Sequence, residues 1–248
     1  MSKSKGRRSK KSPASRVRPF WIPILLLLAV VAAGGYYGAS WPGFRAKTIS
    51  VEGNQVVARS QIVASAAIDR RKNIWLQNTG AAATRVRSIP YIEDVRVRRG
   101  LPATVTIAVT ERKPYAVVAD GARAKIIDAQ LRFLEPDSGR SDLPRLKCRL
   151  VPEPKPGEFL HDECVRSLLH DFQTLGKAHV NAKALDRDRL GDVSAIVVPG
   201  ISVRLGDDTD LEAKAALIDP ILSQTQALGK RVRALDLRAP KTPVVLFQ

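Results

Sequence analysis

Between Pro19 and Phe44 the chain carries no charged residue. The apolar part, Phe20 to about Tyr37, is long enough at 1.5 Å per residue to cross roughly 27–30 Å of hydrocarbon as one helix. Phe20 and Trp21 lie at one edge, and Tyr36, Tyr37 and Trp41 at the other. Such rings favour the two headgroup levels of a bilayer. Pro23 falls in the first turn, where a missing N–H does least harm. A cleaved signal peptide is the competing reading, with Val31-Ala32-Ala33 before Gly34 as the cleavage site. The uncharged stretch is longer than a usual signal core, and the segment before it is long for a leader. The expectation is therefore one transmembrane helix over 19–40.

The charge distribution orients that helix. Residues 1–18 hold eight basic residues and no acid, residues 40–119 hold 13 basic and 5 acidic, and residues 120–248 hold 20 and 19. A basic flank stays on the cytoplasmic side, which places everything after Ser40 outside the cytoplasm. The tail has no apolar periodicity and is expected to remain unfolded against anionic headgroups. Nucleic acid is not the expected partner of this basic excess. The tail's charge follows from membrane topology, and the middle block lacks aromatic interleaving or helix-turn-helix spacing.

The exported part reads as α+β. Thr48 to Glu52 alternates as a strand, which Gly53-Asn54 ends. Ser60 suits the cap of a helix with Ile62, Val63, Ala66 and Ala67 on one face. Asn78 or Thr79 suits the cap of a second helix carrying Ala82, Ala83, Val86 and Ile89, which Pro90 closes. Val95 and Val97, then Val105, Ile107 and Val109, alternate on either side of a Gly100-Leu101-Pro102 turn. The order is strand, helix, helix, strand, strand, with a final hairpin and antiparallel pairing expected.

These residues carry a resemblance. Ile49 to Asn54, Ile62, Ile89-Pro90-Tyr91-Ile92, Val95 to Arg98, Leu101-Pro102 and Val105 to Ala116 resemble a POTRA domain of the FtsQ/DivIB family of bacterial cell-division proteins. Ile127-Asp128 with Leu131 to Leu134, Leu143 to Leu146, Val203 to Gly206 and Leu235 to Arg238 are similar to that family's second, β domain. Gln130, Ala239 and Tyr91 stand where the family often has a glycine, an aromatic and a tryptophan. The resemblance implies a basic tail at 1–18, an anchor at 19–40, a POTRA domain at 44–115 and a β domain at 116–248. It implies a non-enzymatic scaffold in the inner membrane, concentrated at the septum. Such a scaffold links early and late division proteins and helps control septal wall synthesis. Its implied partners are membrane division proteins resembling FtsB and FtsL, with other divisome components at the POTRA domain.

Read by itself, the second half is also mixed. Val165, Leu168, Leu169, Phe172 and Leu175 follow helical spacing from Asp162, with Gly176 as the stop. Asp207 to Leu228 reads as a helix that Pro220 kinks or breaks. Strands are expected around Pro199-Gly200, from Val232 to Leu237, and from Val244 to Phe247. The sheet is expected to be antiparallel, with the C-terminal strand at its edge. Pro243 cannot donate to a ladder, which suits an edge or a strand start. An exposed edge invites strand addition by another chain. Carried over by position, the docking surface is Arg238 with Val244, Val245, Leu246 and Phe247. The alternative is that this strand merely completes the core sheet.

No P-loop, nucleophile elbow or metal-binding histidine pair is present in the sequence, so neither enzyme nor cofactor is expected. His161-Asp162-Glu163-Cys164 is a dense ligand cluster, but acids simply suit a helix start. Cys148 and Cys164 are the two cysteines. One bridge and two free thiols both remain open, because sequence does not show whether the Cα atoms approach within about 7 Å. Arg85, Arg87, Arg96, Arg98 and Arg99 form a candidate POTRA interaction face or a solvated one. Rival readings are an anchored envelope-enzyme subunit and an outer-membrane chaperone module. The first lacks a catalytic pair. The second lacks repeated POTRA units and a barrel's strand pattern.

Overall fold

The computed structural model describes residues 21–121, 123–150, 153–188 and 190–248. The basic tail at 1–18 lies outside them. The first helix, α1 (Trp21–Ser40), contains an apolar span from Trp21 to Gly38 with none of it buried. Its 20 residues rise about 30 Å, the thickness of a hydrocarbon core.

A 3-10 turn, Pro42–Phe44, leads into the first sheet. Its elements are β1 (Thr48–Glu52), α2 (Arg59–Ala66), a 3-10 turn at Ile74–Leu76, α3 (Thr79–Arg87), β2 (Ile92–Gly100) and β3 (Thr104–Glu111). The strand order is β1-β3-β2. The β2–β3 hairpin is antiparallel as expected, but β1 runs parallel to β3, from Thr48↔Thr104 to Glu52↔Ala108. Two helices lie between β1 and β2, and β2 runs opposite to β1. The tight turn then folds β3 between them, in the direction of β1.

Local signals act with one change. Asn78 caps α3, its Oδ1 accepting from the Ala81 N–H at 2.9 Å. Ser60 does not cap α2: Ala58 holds that position without a side-chain bond. The backbone N–H groups of Val56 and Val57 instead donate to the Glu111 carboxylate at 2.7 and 2.9 Å. A residue 55 positions away thus fixes the approach to α2. Gly53 has φ +85°, and a Cβ there would lie 2.2 Å from the Val109 carbonyl oxygen. Only glycine fits.

The second sheet has nine strands in the order β12-β11-β10-β9-β8-β7-β4-β5-β6. These are β4 (Ala116–Asp120), β5 (Arg123–Ile127), β6 (Phe133–Pro136), β7 (Arg145–Lys147), β8 (Ala182–Arg187), β9 (Val193–Val197), β10 (Ile201–Gly206), β11 (Val232–Asp236) and β12 (Val244–Phe247). The sheet is mixed rather than antiparallel throughout. β4 with β7, β7 with β8, and β10 with β11 pair in parallel. Two of these junctions are bridged by helices: α4 (Glu163–Lys177) joins β7 to β8, and α5 (Leu211–Ala216) with α6 (Ile218–Ala227) joins β10 to β11. A crossover helix returns the chain to the end where it started, so flanking strands run parallel.

Asp162 caps α4 through Oδ1 to the Val165 N–H, and the helix continues past Gly176 to Lys177. His179, two residues past the helix end, takes a left-handed conformation at φ +61°. The break between α5 and α6 falls at Leu217, not at Pro220. A proline ring collides with the carbonyl four residues back. That carbonyl belongs to Ala216, where α5 ends, so Pro220 sits harmlessly in the first turn of α6.

The helices cover one face of the sheet, burying Leu168, Leu175, Leu185, Val203, Leu205 and Ile218. On the other side, Val117, Ile126 and Leu134 join the core of the first unit, with Ile62, Val86, Ile92 and Ile107. The two sheets therefore share a hydrophobic seam. Arg112 Nη1 donates to Asp128 Oδ2 at 2.5 Å, with both side chains under a tenth exposed. Asp128 Oδ1 also accepts from the backbone N–H groups of Gln130 and Arg132 at 2.9 and 2.8 Å. Arg112 and Arg132 both stack on the Phe159 ring, 5.6 and 5.4 Å from its centroid. Tyr91 OH donates to Glu135 Oε1 at 2.6 Å across the same seam. Burial, and then the Glu135 carboxylate, push the Tyr91 phenol well above its ordinary pKa.

Candidate docking edge

Among the described residues, β12 is the terminal strand of the large sheet, with β11 as its one neighbour. The pair is antiparallel, with Leu235↔Val245 and Asp236↔Val244 in register and an irregularity between Val232 and Ala234. A ladder with one neighbour leaves half of the strand's N–H and C=O groups facing outward. Pro243 immediately precedes the strand, so its lack of a donor costs the ladder nothing.

Side chains alternate across β12. Val245 packs against the core beneath the helices. Val244 and Leu246 are more than half exposed, and Phe247 is nearly so. Lys230 Nζ lies 4.9 Å from the centroid of the Phe247 ring, a cation–π contact at the strand's end. The Gln248 N–H donates to the Arg231 carbonyl at 3.0 Å and closes the chain. Beside it runs a groove of about 710 Å³, lined by Val198, Leu222, Gln226, Lys230, Arg231 and Gln248 among others.

Arg238 stands at the opposite end of β11 from Phe247. Its Nε contacts both Asp236 oxygens at 3.1 Å, and its Nη2 reaches Oδ2 at 2.8 Å. The Arg238 hydrogen bond holds the Asp236 carboxyl below the usual carboxylate range, and the Arg238 guanidinium is raised in turn. Gly206, at φ +74°, lets this side chain lie flat: a Cβ there would be 3.0 Å from Arg238 Cγ. The structure thus gathers Val244, Val245, Leu246 and Phe247 on one edge and sets Arg238 at its flank. Lys230 and the groove were not foreseen. The one local signal was the Leu228-Gly229 helix end, which places Lys230 just ahead of β11.

The five arginines of the first unit are all exposed, and their guanidinium groups are held in different ways. Arg85 donates to the carbonyls of Ser65 and Ala66, capping the end of α2. Arg99 donates to the carbonyls of Ile74 and Gln77, both at 2.8 Å. Arg87 and Arg96 meet at Asp94, at 3.0 and 3.4 Å, and the Arg87 hydrogen bond lowers the Asp94 pKa. Arg98 is exposed on the solvent side of β2.

Cys148 and Cys164 are joined, with Cα atoms 6.1 Å apart, and pin the start of α4 to the end of β7. Asp162, the third potential ligand near these sulfurs, is occupied as the α4 cap.

A family model described as POTRA domain, FtsQ-type, matches residues 44–112. Relatives cover the second sheet as well. A protein named Cell division protein FtsQ from Streptomyces venezuelae is 26% identical over 243 residues, 93% of this chain and 88% of the relative. One of the same name from Streptomyces griseus is 28% identical over 84% of this chain and 99% of its own length. Cell division protein DivIB from Clostridium acetobutylicum is 32% identical over 94 residues, 38% of each chain. The chain thus carries an FtsQ-type POTRA domain at 44–112 and is similar over most of its length to cell-division proteins named FtsQ.

Proposed function

We propose that this chain is a non-enzymatic scaffold of the division machinery that receives partner proteins at β12. One observation carries the reading: the large sheet ends in a free, apolar edge strand formed by Val244 to Phe247. Natural proteins usually blunt such edges with charge, bulges or a covering loop. The occupant is an extended segment of a membrane division protein of the FtsB/FtsL kind. It adds a tenth strand by main-chain pairing and rests side chains on Leu246 and Phe247. Arg238 and the groove beside Lys230 fix its register at either end. The POTRA unit meets other division proteins. The basic tail lies in the cytoplasm and contacts anionic lipid, and both sheets lie outside, at the septum. There the scaffold links early and late components and helps control septal wall synthesis.

The test places glutamate at Leu246 and Phe247, both exposed on the strand. Co-purification with the partner pair should be lost while the membrane-anchored protein stays folded. Undiminished binding would remove the edge from the proposal.

A further inference from the structure

The first unit presents a second apolar surface, at the end where α1 enters it. In the 3-10 turn at Ile74–Leu76, Ile74 is fully buried against Ala46 and Val105. With three residues per turn, its two successors must point out. Trp75 is 55% exposed and Leu76 63%. Arg99 binds this turn to the β2–β3 hairpin through the Ile74 and Gln77 carbonyls. The hairpin tip carries Leu101, 69% exposed. The tip is itself tied to the segment after α1, since Lys47 N–H donates to the Ala103 carbonyl at 2.9 Å.

This surface abuts the membrane helix. Asn73 Nδ2 donates to the carbonyl of Gly38 at 3.3 Å, and Gly38 is the last residue of the apolar span. Arg45 forms a β-bridge with Asn73, and the Ala46 N–H donates to the Lys72 carbonyl at 3.4 Å. The turn bearing Trp75 is therefore held at the level where α1 leaves the hydrocarbon. Exposed cations border it: Arg45, Lys47, Arg70, Arg71 and Lys72. Asp69 is the acid among them, and it is engaged with the Arg71 N–H at 2.8 Å.

From this geometry we infer that the POTRA unit is seated on the bilayer surface itself, with Trp75, Leu76 and Leu101 in the interfacial layer and the five cations on anionic headgroups. A tryptophan with an apolar body and one N–H donor belongs at that depth. Apolar side chains rimmed by basic ones match a surface of buried acyl chain below negative charge. The seat needs α1 to be embedded but does not depend on β12, so its failure and that of the docking edge are separable. It would hold the POTRA unit in one orientation over the membrane rather than leaving it to swing about residues 41–44.

Trp21→Phe and Trp41→Phe leave Trp75 as the single tryptophan of the full chain. Reconstituted in nanodiscs with lipids brominated near the headgroup end of the acyl chain, Trp75 should lose emission and shift to the blue. The loss should be greater with anionic phosphatidylglycerol than with phosphatidylcholine alone. Arg70→Ser, Arg71→Ser and Lys72→Ser together should erase the difference between the two lipids. Equal quenching in both lipids before those substitutions would overturn the headgroup assignment. A Trp75 unquenched by either lipid and open to aqueous iodide would overturn the seat and leave the patch to a protein occupant.

Discussion

Asp128 shows how much one buried carboxylate can hold. It accepts from the Arg112 guanidinium and two backbone N–H groups, while a second cation, Arg132, lies close by. Burial and the neighbouring Arg112 lower the Arg132 pKa, so the site already tolerates its positive charge poorly. Removing the anion leaves uncompensated buried charge, a loss of about 3–5 kcal/mol. Asp128→Ala should therefore lower the urea midpoint of unfolding sharply. Arg238 with Asp236 is the opposite case. The Arg238 side chain is 54% exposed, and solvent screening leaves such a pair little to contribute. Arg238→Ala should be nearly neutral for stability. The pH dependence has a definite sign: Asp236 has a lowered pKa when folded, so its contribution is present above the unfolded value and is lost as pH falls through the folded one. An NMR titration should place the Asp236 midpoint below that of an ordinary aspartate, and Arg238→Ala should return it towards the ordinary position.

At the scale of elements, two constraints sit where the chain turns. Gly53 ends β1 in a left-handed conformation beneath the Val109 carbonyl. Gly53→Ala adds both backbone strain and a clash, and should cost about 2 kcal/mol or more, read as a lower melting temperature. The Cys148–Cys164 bridge closes a loop of 16 positions and fastens α4 to β7. Loop-closure entropy makes such a bridge worth roughly 3 kcal/mol. In a folded part of this size, reduction or Cys164→Ser should lower the melting temperature by roughly 6–12 °C. Pro220 acts with equal economy. Its ring ends α5 four residues upstream and lets α6 start in a new direction, which carries the chain towards β11.

Across the whole molecule, the seam between the sheets decides the mechanical character. Val117, Ile126 and Leu134 of the large sheet lie in the same core as Ile62 and Val86 of the POTRA unit. Tyr91 with Glu135, and Arg112 with Asp128, fasten its polar rim. Two units joined this closely should unfold together. The full chain in detergent should show one transition, which Tyr91→Phe combined with Asp128→Asn should separate into two. A rigid pair transmits force or orientation from β12 to the POTRA unit, whereas a jointed pair would not. Gln130 accepts from Arg112 Nη1 at 2.9 Å and so reinforces the seam.

The apolar N-terminal helix, the POTRA strand-helix-helix-strand-strand order, the α4 face and the apolar last strand were all legible in the sequence, because each rests on local periodicity or on a breaker residue. The parallel pairing of β1 with β3, the mixed character of the large sheet and the hold of Glu111 on the Val56 and Val57 N–H groups were not. Each depends on partners tens of residues apart, chosen by how helices return the chain and by which carbonyl lies opposite. The five arginines make the same point. Composition marks them as basic surface, but whether a guanidinium meets a backbone carbonyl, as at Arg85 and Arg99, or open solvent, as at Arg98, is a matter of tertiary position. Sequence determined what each segment tends to form, and only the folded chain decided which faces were left over for something else to bind.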